Sequence, residues 1–160
     1  MAEQNKELPI YLGADHAGWE LKKAIQAMLE KEGYAVQDLG NERPDPNDDY
    51  PDFGYAVAKR VASEPGARGI LLCGNAQGIC IVANKVRGIR AGTGYSAYAA
   101  ETMRKDDDTN ILCLPGRVLS LDEAKQIVHL WLETPFSGEE RHVRRLAKIR
   151  EIEKSEYTSI

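Results

Sequence analysis

Gly69-Ile70-Leu71-Leu72-Cys73-Gly74-Asn75-Ala76-Gln77-Gly78 is the stretch on which the fold turns. The apolar run from Ile70 to Cys73 does not alternate with polar residues. It therefore reads as a strand buried on both faces, which a parallel sheet between two helical layers supplies. The run ends at Gly74, and residues 74–78 form a loop ahead of a short helix to about Lys85. Outward the rhythm repeats, with strands expected over 9–14 and 34–39 before it and over 89–92 and 110–114 after it. Between them lie stretches of helical period. Leu21, Ile25, Met28 and Leu29 share a face that Gly33 ends, and Phe53, Val57 and Val61 share another, opened by Asp49-Tyr50-Pro51-Asp52. Ser96 caps a helix to about Lys105, and Ser120 with Glu123 forms a capping box ahead of Ile127, Val128 and Trp131. This alternation gives the α/β class with a five-stranded parallel sheet.

After a break at 135–138, a last helix over about 138–156 has no strand behind it. Its stripe of Val143, Leu146, Ile149 and Ile152 needs a cover, and the helix is free to reach a partner subunit for one. The expected organisation is one domain, 1–160, with its core at about 9–135.

A chain of 160 residues, 42% hydrophobic and 29% charged, fits one soluble domain. At that length folding hides roughly 70% of the unfolded chain's surface, so no disulfide or structural metal is needed. Cys73, Cys80 and Cys113 are odd in number, match no zinc spacing and follow no signal peptide, so a reducing, cytoplasmic compartment is expected. No apolar run approaches the ~20 residues of a membrane span. A net charge of −4 gives no global nucleic-acid footprint. Neither membrane nor nucleic acid is an expected partner.

Ligands of open parallel sheets collect beyond the carboxyl ends of the strands. Three groups are expected there: Asp15-His16 after the first strand, Cys73 through Gly78 after the third, and Asp106-Asp107-Asp108 ahead of the fifth. Asp15 suits either a helix cap or a ligand contact. Cys73 borders a loop of backbone amides, where a thiol becomes more acidic, whereas Cys80 and Cys113 read as core. The loop lacks G-x-G-x-x-G and a Gly-Lys-Ser/Thr ending, so neither a dinucleotide nor a nucleoside triphosphate is supported. What remains is an amide nest suited to an anion. No carboxylate spacing favours a metal. Arg141, Arg145 and Lys148 recur at helical spacing as either a solvated basic face or a phosphate clamp. The polar stretch 40–51 is long for a mere connection and is a candidate binding loop. Cys73 stands where a phospho-receiver domain needs its aspartate, which excludes that function.

These residues resemble the ribose-5-phosphate isomerase B family of sugar-phosphate isomerases, which includes the galactose-6-phosphate isomerase subunits. The matching segments are Gly13-Ala14-Asp15-His16-Ala17-Gly18, Asp49-Tyr50-Pro51, Cys73-Gly74 with Gly78-Ile79, Ala83-Asn84-Lys85, Gly88-Ile89-Arg90-Ala91, Asp108-Thr109-Asn110, Gly116-Arg117 and the pair Arg141 and Arg145. They span roughly 9–155. The resemblance implies a Rossmann-like three-layer sandwich, a homodimer or homotetramer with shared sites, a phosphorylated sugar as substrate, and no metal or organic cofactor. It implies Cys73 as the base, with Asn75 and Asp106 at the other two catalytic positions. Asp15 and His16 would bind the sugar and its phosphate region, and Gly74, Ala76, Gln77 and Gly78 the developing enediolate. Arg117, Arg141 and Arg145 would bind phosphate, some across the interface, Tyr50 would come from the neighbouring subunit, and Asp107 would touch substrate. Two departures stand out. Asn75 occupies the place of a proton-shuttling threonine, and Asp106 and Asp107 replace a ring-opening histidine and the asparagine after it. The resemblance therefore leaves three readings open: a ribose 5-phosphate isomerase, a six-carbon sugar-phosphate isomerase, or a non-catalytic or partner-dependent binding subunit.

Overall fold

A computed structural model describes residue 6 and residues 8–157. In chain order the elements are β1 (Ile10–Ala14), α1 (Trp19–Lys31), β2 (Val36–Asp38), α2 (Tyr50–Ser63), β3 (Arg68–Cys73) and α3 (Gln77–Ala83). They continue with β4 (Ala91–Thr93), α4 (Ala97–Lys105), β5 (Ile111–Pro115), α5 (Leu121–Glu133) and α6 (Glu140–Tyr157). The five strands pair in parallel in the order β2-β1-β3-β5-β4.

Strand alternation divides the core into two layers. Leu12, Ile70, Leu72, Leu112 and Leu114 face α1, α4 and α5, where Ile25, Leu29, Ala100, Val128 and Trp131 meet them. Tyr11, Leu71, Cys73, Ile111 and Cys113 face α2 and α3, against Val57, Val61 and Ile79. Each fully buried aliphatic side chain contributes about 1.5–3 kcal/mol by leaving water. Trp131 is fully buried, and its Nε1–H donates to Thr109 Oγ1 at 2.9 Å, so the ring gains burial without an orphaned donor.

The chain leaves β1 toward β2 on one side and returns to β3 on the other, which makes the β1/β3 boundary the topological switch point. A crevice opens there because the two connections diverge. Two glycines let the flanking turns close in behind it. A Cβ on Gly18 would lie 2.5 Å from Leu72 Cβ, and one on Gly116 would lie 2.6 Å from the Ala17 carbonyl oxygen.

The fourth strand begins two residues later than its apolar run suggests. Ile89 is buried from a turn, its N–H bonded to the Val86 carbonyl, while the Asn84 side chain pairs with both the N–H and C=O of Ala91 at 2.9 Å. The side-chain amide thus substitutes for backbone at the start of β4. In α6 only His142 and Leu146 are buried, and Val143, Ile149 and Ile152 remain exposed. The helix is tied to its own chain by Glu153, which accepts from the Gly88 N–H at 2.7 Å, and by the Tyr157 hydroxyl, which donates to the Lys85 carbonyl. No helix among the described residues is long and apolar enough to cross a membrane.

Candidate active site

Cys73, the last residue of β3, lies at the foot of a cleft of about 330 Å³ at the carboxyl ends of β1 and β3. Its side chain is 4% exposed and shares the sheet face of Leu71. The turn after β5 is sewn to this strand end: the Gly116 N–H donates to the Cys73 carbonyl at 2.8 Å and the Arg117 N–H to the Gly74 carbonyl at 3.1 Å. The Arg117 side chain consequently lies over Gly74, with Nη1 only 3.1 Å from where a Cβ would stand. A thiol and a guanidinium thus share one wall.

Residues 74–78 behave unequally. Gly74, Asn75 and Gly78 line the cleft, whereas Ala76 turns its methyl into the core and Gln77 is exposed outside it. Ala76 has φ +65°, a left-handed conformation uncommon for alanine, and this tight reversal starts α3 directly behind Cys73. The Gln77 amide is already taken, donating to Asn75 Oδ1 at 3.1 Å, so the Asn75 NH2 is the part of that side chain left for a ligand.

Tyr50 belongs to this cleft in its own chain, which corrects the expectation that a neighbouring subunit lends it. It is the first residue of α2. Its ring lies against Gly78, where a Cβ would come within 2.6 Å of Cζ. The small Gly54 lets α2 approach α3 closely enough for that contact.

Asp15 forms the opposite wall, 7% exposed. Its Oδ1 accepts from the Ala17 and Gly18 N–H groups at 3.0 and 3.1 Å, which ties the turn ahead of α1; the N-cap of that helix is Gly18, so Asp15 is not the helix cap. His16 stands outside the cleft lining with its side chain one-third exposed. Asp48, which sequence reasoning missed, holds it: Oδ1 lies 2.7 Å from His16 Nδ1 and accepts the His16 N–H at 3.0 Å. An ionised carboxylate only accepts, so Nδ1 carries the proton and Nε2 is left for a ligand. Asn41 donates to the other Asp48 oxygen at 2.8 Å. The loop is anchored from below by fully buried Lys22, which donates to Asp38 at 2.8 Å. Burial lowers the Lys22 pKa, and although burial pushes the Asp38 carboxyl up, hydrogen bonds from Lys22 and Lys23 hold it below its ordinary value. The length and polarity of 40–51 signalled a functional loop without singling out Asp48.

Asp106, Asp107, Arg141 and Arg145 do not join this cleft within one chain. The aspartates precede β5 and so lie at the amino end of the sheet, which corrects their expected place beyond the carboxyl ends. They form a second group with α6. His142, buried between the two arginines in sequence and also missed, has Nδ1 3.0 Å from the Asp106 carbonyl oxygen. Burial and the charge of Asp106 raise the Asp107 carboxyl, while His142, Arg145 and Arg90 oppose that shift. Arg141 Nε donates to Glu139 at 2.8 Å on the surface. Cys113 is core as expected, and Cys80 is half-buried. Among the described residues no group of three or more His, Cys, Asp or Glu side chains could hold a metal ion.

The site therefore offers a buried thiol, a carboxylate, a phenol and a guanidinium, groups suited to proton transfer beside a carbonyl in an anionic substrate. The family model described as Ribose/Galactose Isomerase matches residues 10–149. Ribose-5-phosphate isomerase B of Clostridium thermocellum is 47% identical, with TM-score 0.89 over 92% of this chain and 99% of that one. The Mycoplasma genitalium ribose-5-phosphate isomerase B with bound ribulose-5-phosphate is 40% identical, with TM-score 0.89 over 92% and 97%. The D-erythrulose-4-phosphate isomerase of Pectobacterium atrosepticum is 40% identical over 131 residues, 82% of this chain and 86% of that protein.

Proposed function

Since the chain belongs to the ribose/galactose isomerase family and is an aldose–ketose isomerase of a sugar phosphate, we propose that ribose 5-phosphate and ribulose 5-phosphate are its substrate pair and Cys73 its base. The observation that carries this is the placing of Cys73 at the foot of the switch-point cleft, between Asp15 and Arg117. The Cys73 thiolate takes the proton from C2 of the open-chain aldose, and the electron pair of that bond forms the C1–C2 double bond of an enediolate, with charge on O1. The Cys73 thiol returns the proton to C1, and the O2 proton passes through solvent to O1 as the ketose carbonyl forms at C2 and the hydroxyl at C1. The Asn75 NH2 donates to an enediolate oxygen without carrying a proton, and Arg117 holds the phosphate and so orients the reacting carbons.

Completion of the site takes a second copy of the chain, which brings Asp106, Asp107, Arg141 and Arg145 over the Cys73 cleft. Their separation from that cleft within one chain and the exposed Val143, Ile149 and Ile152 of α6 support this reading. Purified protein incubated with ribose 5-phosphate in D2O is expected to give ribulose 5-phosphate carrying solvent deuterium at C1. Conversion of a four- or six-carbon aldose phosphate but not of ribose 5-phosphate would reassign the substrate. No conversion of any would overturn the assignment of the base and site together.

A further inference from the structure

A second cleft, of about 390 Å³, opens at the opposite end of the sheet from Cys73, where α2 ends and turns enter β3, β4 and β5. Arg68, Arg90 and Arg104 line it. One carboxylate serves two of them: Asp108 accepts from Arg90 Nη2 and from Arg104 Nη1, each at 2.9 Å. Arg68 makes no ion pair among the described residues; its Nη1 donates to the carbonyls of Trp131 and Leu132 at 3.4 and 2.9 Å, and its guanidinium stacks 5.4 Å from the Trp131 ring centroid. Glu64, also on the wall, is engaged by the Tyr11 hydroxyl at 2.5 Å, beside Arg60. Arg104 is 6% exposed, and its buried Nε has no acceptor among the described residues. Burial and then the charge of Arg104 push the Arg68 guanidinium down to about 10. Cations held this deeply ordinarily come with a matching anion.

We propose that this cleft binds a phosphate anion, either inorganic phosphate or the head group of a small phosphomonoester, through Arg68, Arg90 and Arg104. Three guanidiniums against the carboxylates of Asp108 and Glu64 leave the wall with a net positive charge, which draws an anion. Planar guanidinium donors match phosphate oxygens in pairs. The volume suits a small metabolite. The site is separate from the Cys73 cleft and does not rest on the assignment of the reaction. It does adjoin the turn that carries Asp106 and Asp107, because Arg90 donates to the Asp107 and Asp108 carbonyls and Arg104 to that of Thr109. Occupancy at these arginines stiffens that turn.

The test titrates the intact protein by calorimetry with inorganic phosphate and, separately, with glycerol 3-phosphate. Wild type is compared with Arg68→Gln and Ala62→Glu. Ala62 is an exposed residue of α2 on the cleft wall, so a carboxylate there competes for the arginines without removing Arg68 from Trp131. Both variants are expected to weaken phosphate binding at this site by at least ~10-fold, the scale of a lost hydrogen bond to a charged group. Arg117→Ala, aimed at the Cys73 cleft, should leave that binding in place. If Ala62→Glu binds phosphate with wild-type affinity and stoichiometry, the proposal is overturned, even should Arg68→Gln fail to fold. Binding of both ligands in an Ala62-dependent manner assigns the site to phosphomonoesters, and binding of phosphate alone assigns it to the free anion. Ala62-dependent binding of neither overturns it.

Discussion

Asp48 takes two hydrogen bonds on one oxygen from His16, from its main-chain N–H at 3.0 Å and from Nδ1 at 2.7 Å, which fixes the imidazole's direction and its tautomer together. Asp48→Asn keeps the shape but replaces a charged acceptor with a neutral amide. We expect KM to rise by about tenfold with a smaller change in kcat, since the contact is made equally in ground and transition states. The accompanying loss of stability should be about 1–3 kcal/mol. Nitrogen NMR of the His16 ring checks the cause: the variant should show a mixture of tautomers, and a single Nδ1–H form in it would refute the orienting role.

Cys73→Ser is expected to bind sugar phosphate almost normally while lowering turnover at least ~10²-fold, because a positioned general base contributes about 10²–10⁴. A serine hydroxyl fits the buried site but does not ionise near neutral pH. Steady-state kinetics beside a direct binding measurement separates the two effects. Near-normal turnover would remove Cys73 from its role.

Gly78→Ala places a methyl against the Tyr50 ring, at 2.6 Å from Cζ before any adjustment. The ring has to swing out of the cleft, so both stability and kcat/KM should fall. Tyr50→Ala alone should also lower kcat/KM, but the double variant should be more stable than the sum of the single losses predicts, because the clash has gone. Additive losses in denaturant titrations would show that the two residues do not compete for that space.

The buried run of 70–73 and its glycine-bounded loop were legible because an unbroken apolar stretch fits few environments, and the glycines around it mark where backbone closes in. The start of β4 was not, since Ile89 is as apolar as a strand residue yet fills the core from a turn that Asn84 organises. Asp106 was identified as a site candidate and misplaced, because a residue that precedes a parallel strand lies at the amino end of the sheet, not beyond its carboxyl ends. Asp48 and His142 were missed for a related reason: each acts through one long-range contact, to His16 and to the Asp106 carbonyl, that no local pattern encodes.

Cys80 should give the fold a pH dependence of its own. A hydrogen bond from Cys113 and another from Thr93 outweigh burial and bring the Cys80 thiol from 9.0 down to about 7. A depressed pKa means the unfolded chain binds more protons between those values, so stability rises with pH across 7–9 and is lost as pH falls through about 7. Cys113, pushed up by burial and by Cys80, opposes this only above its ordinary 9.0. Urea midpoints at pH 6.5, 7.5 and 8.5 should climb in wild type and climb less in Cys80→Ala. Parallel slopes would rule the thiol out as their source.

The proposed sharing of active sites between copies is tested by mixing inactive variants. Cys73→Ser spoils the cleft of its own chain, whereas Arg145→Ala, on α6 and away from that cleft, would spoil the cleft of its neighbour. Each homomeric variant should be weakly active or inactive. After the two are unfolded together and refolded at equal concentration, half of the dimers combine them. In such a dimer one cleft carries both defects, while the other joins an intact Cys73 to an intact Arg145. Activity should therefore recover to about a quarter of the wild-type value if the two-fold pairing is random. Substrate affinity at the recovered sites should equal that of wild type, because nothing in them is altered. If both residues served the cleft of one chain, every cleft in the mixture would carry one defect and no activity would return. A protein that light scattering shows to be a fully active monomer would exclude the shared site by a separate route.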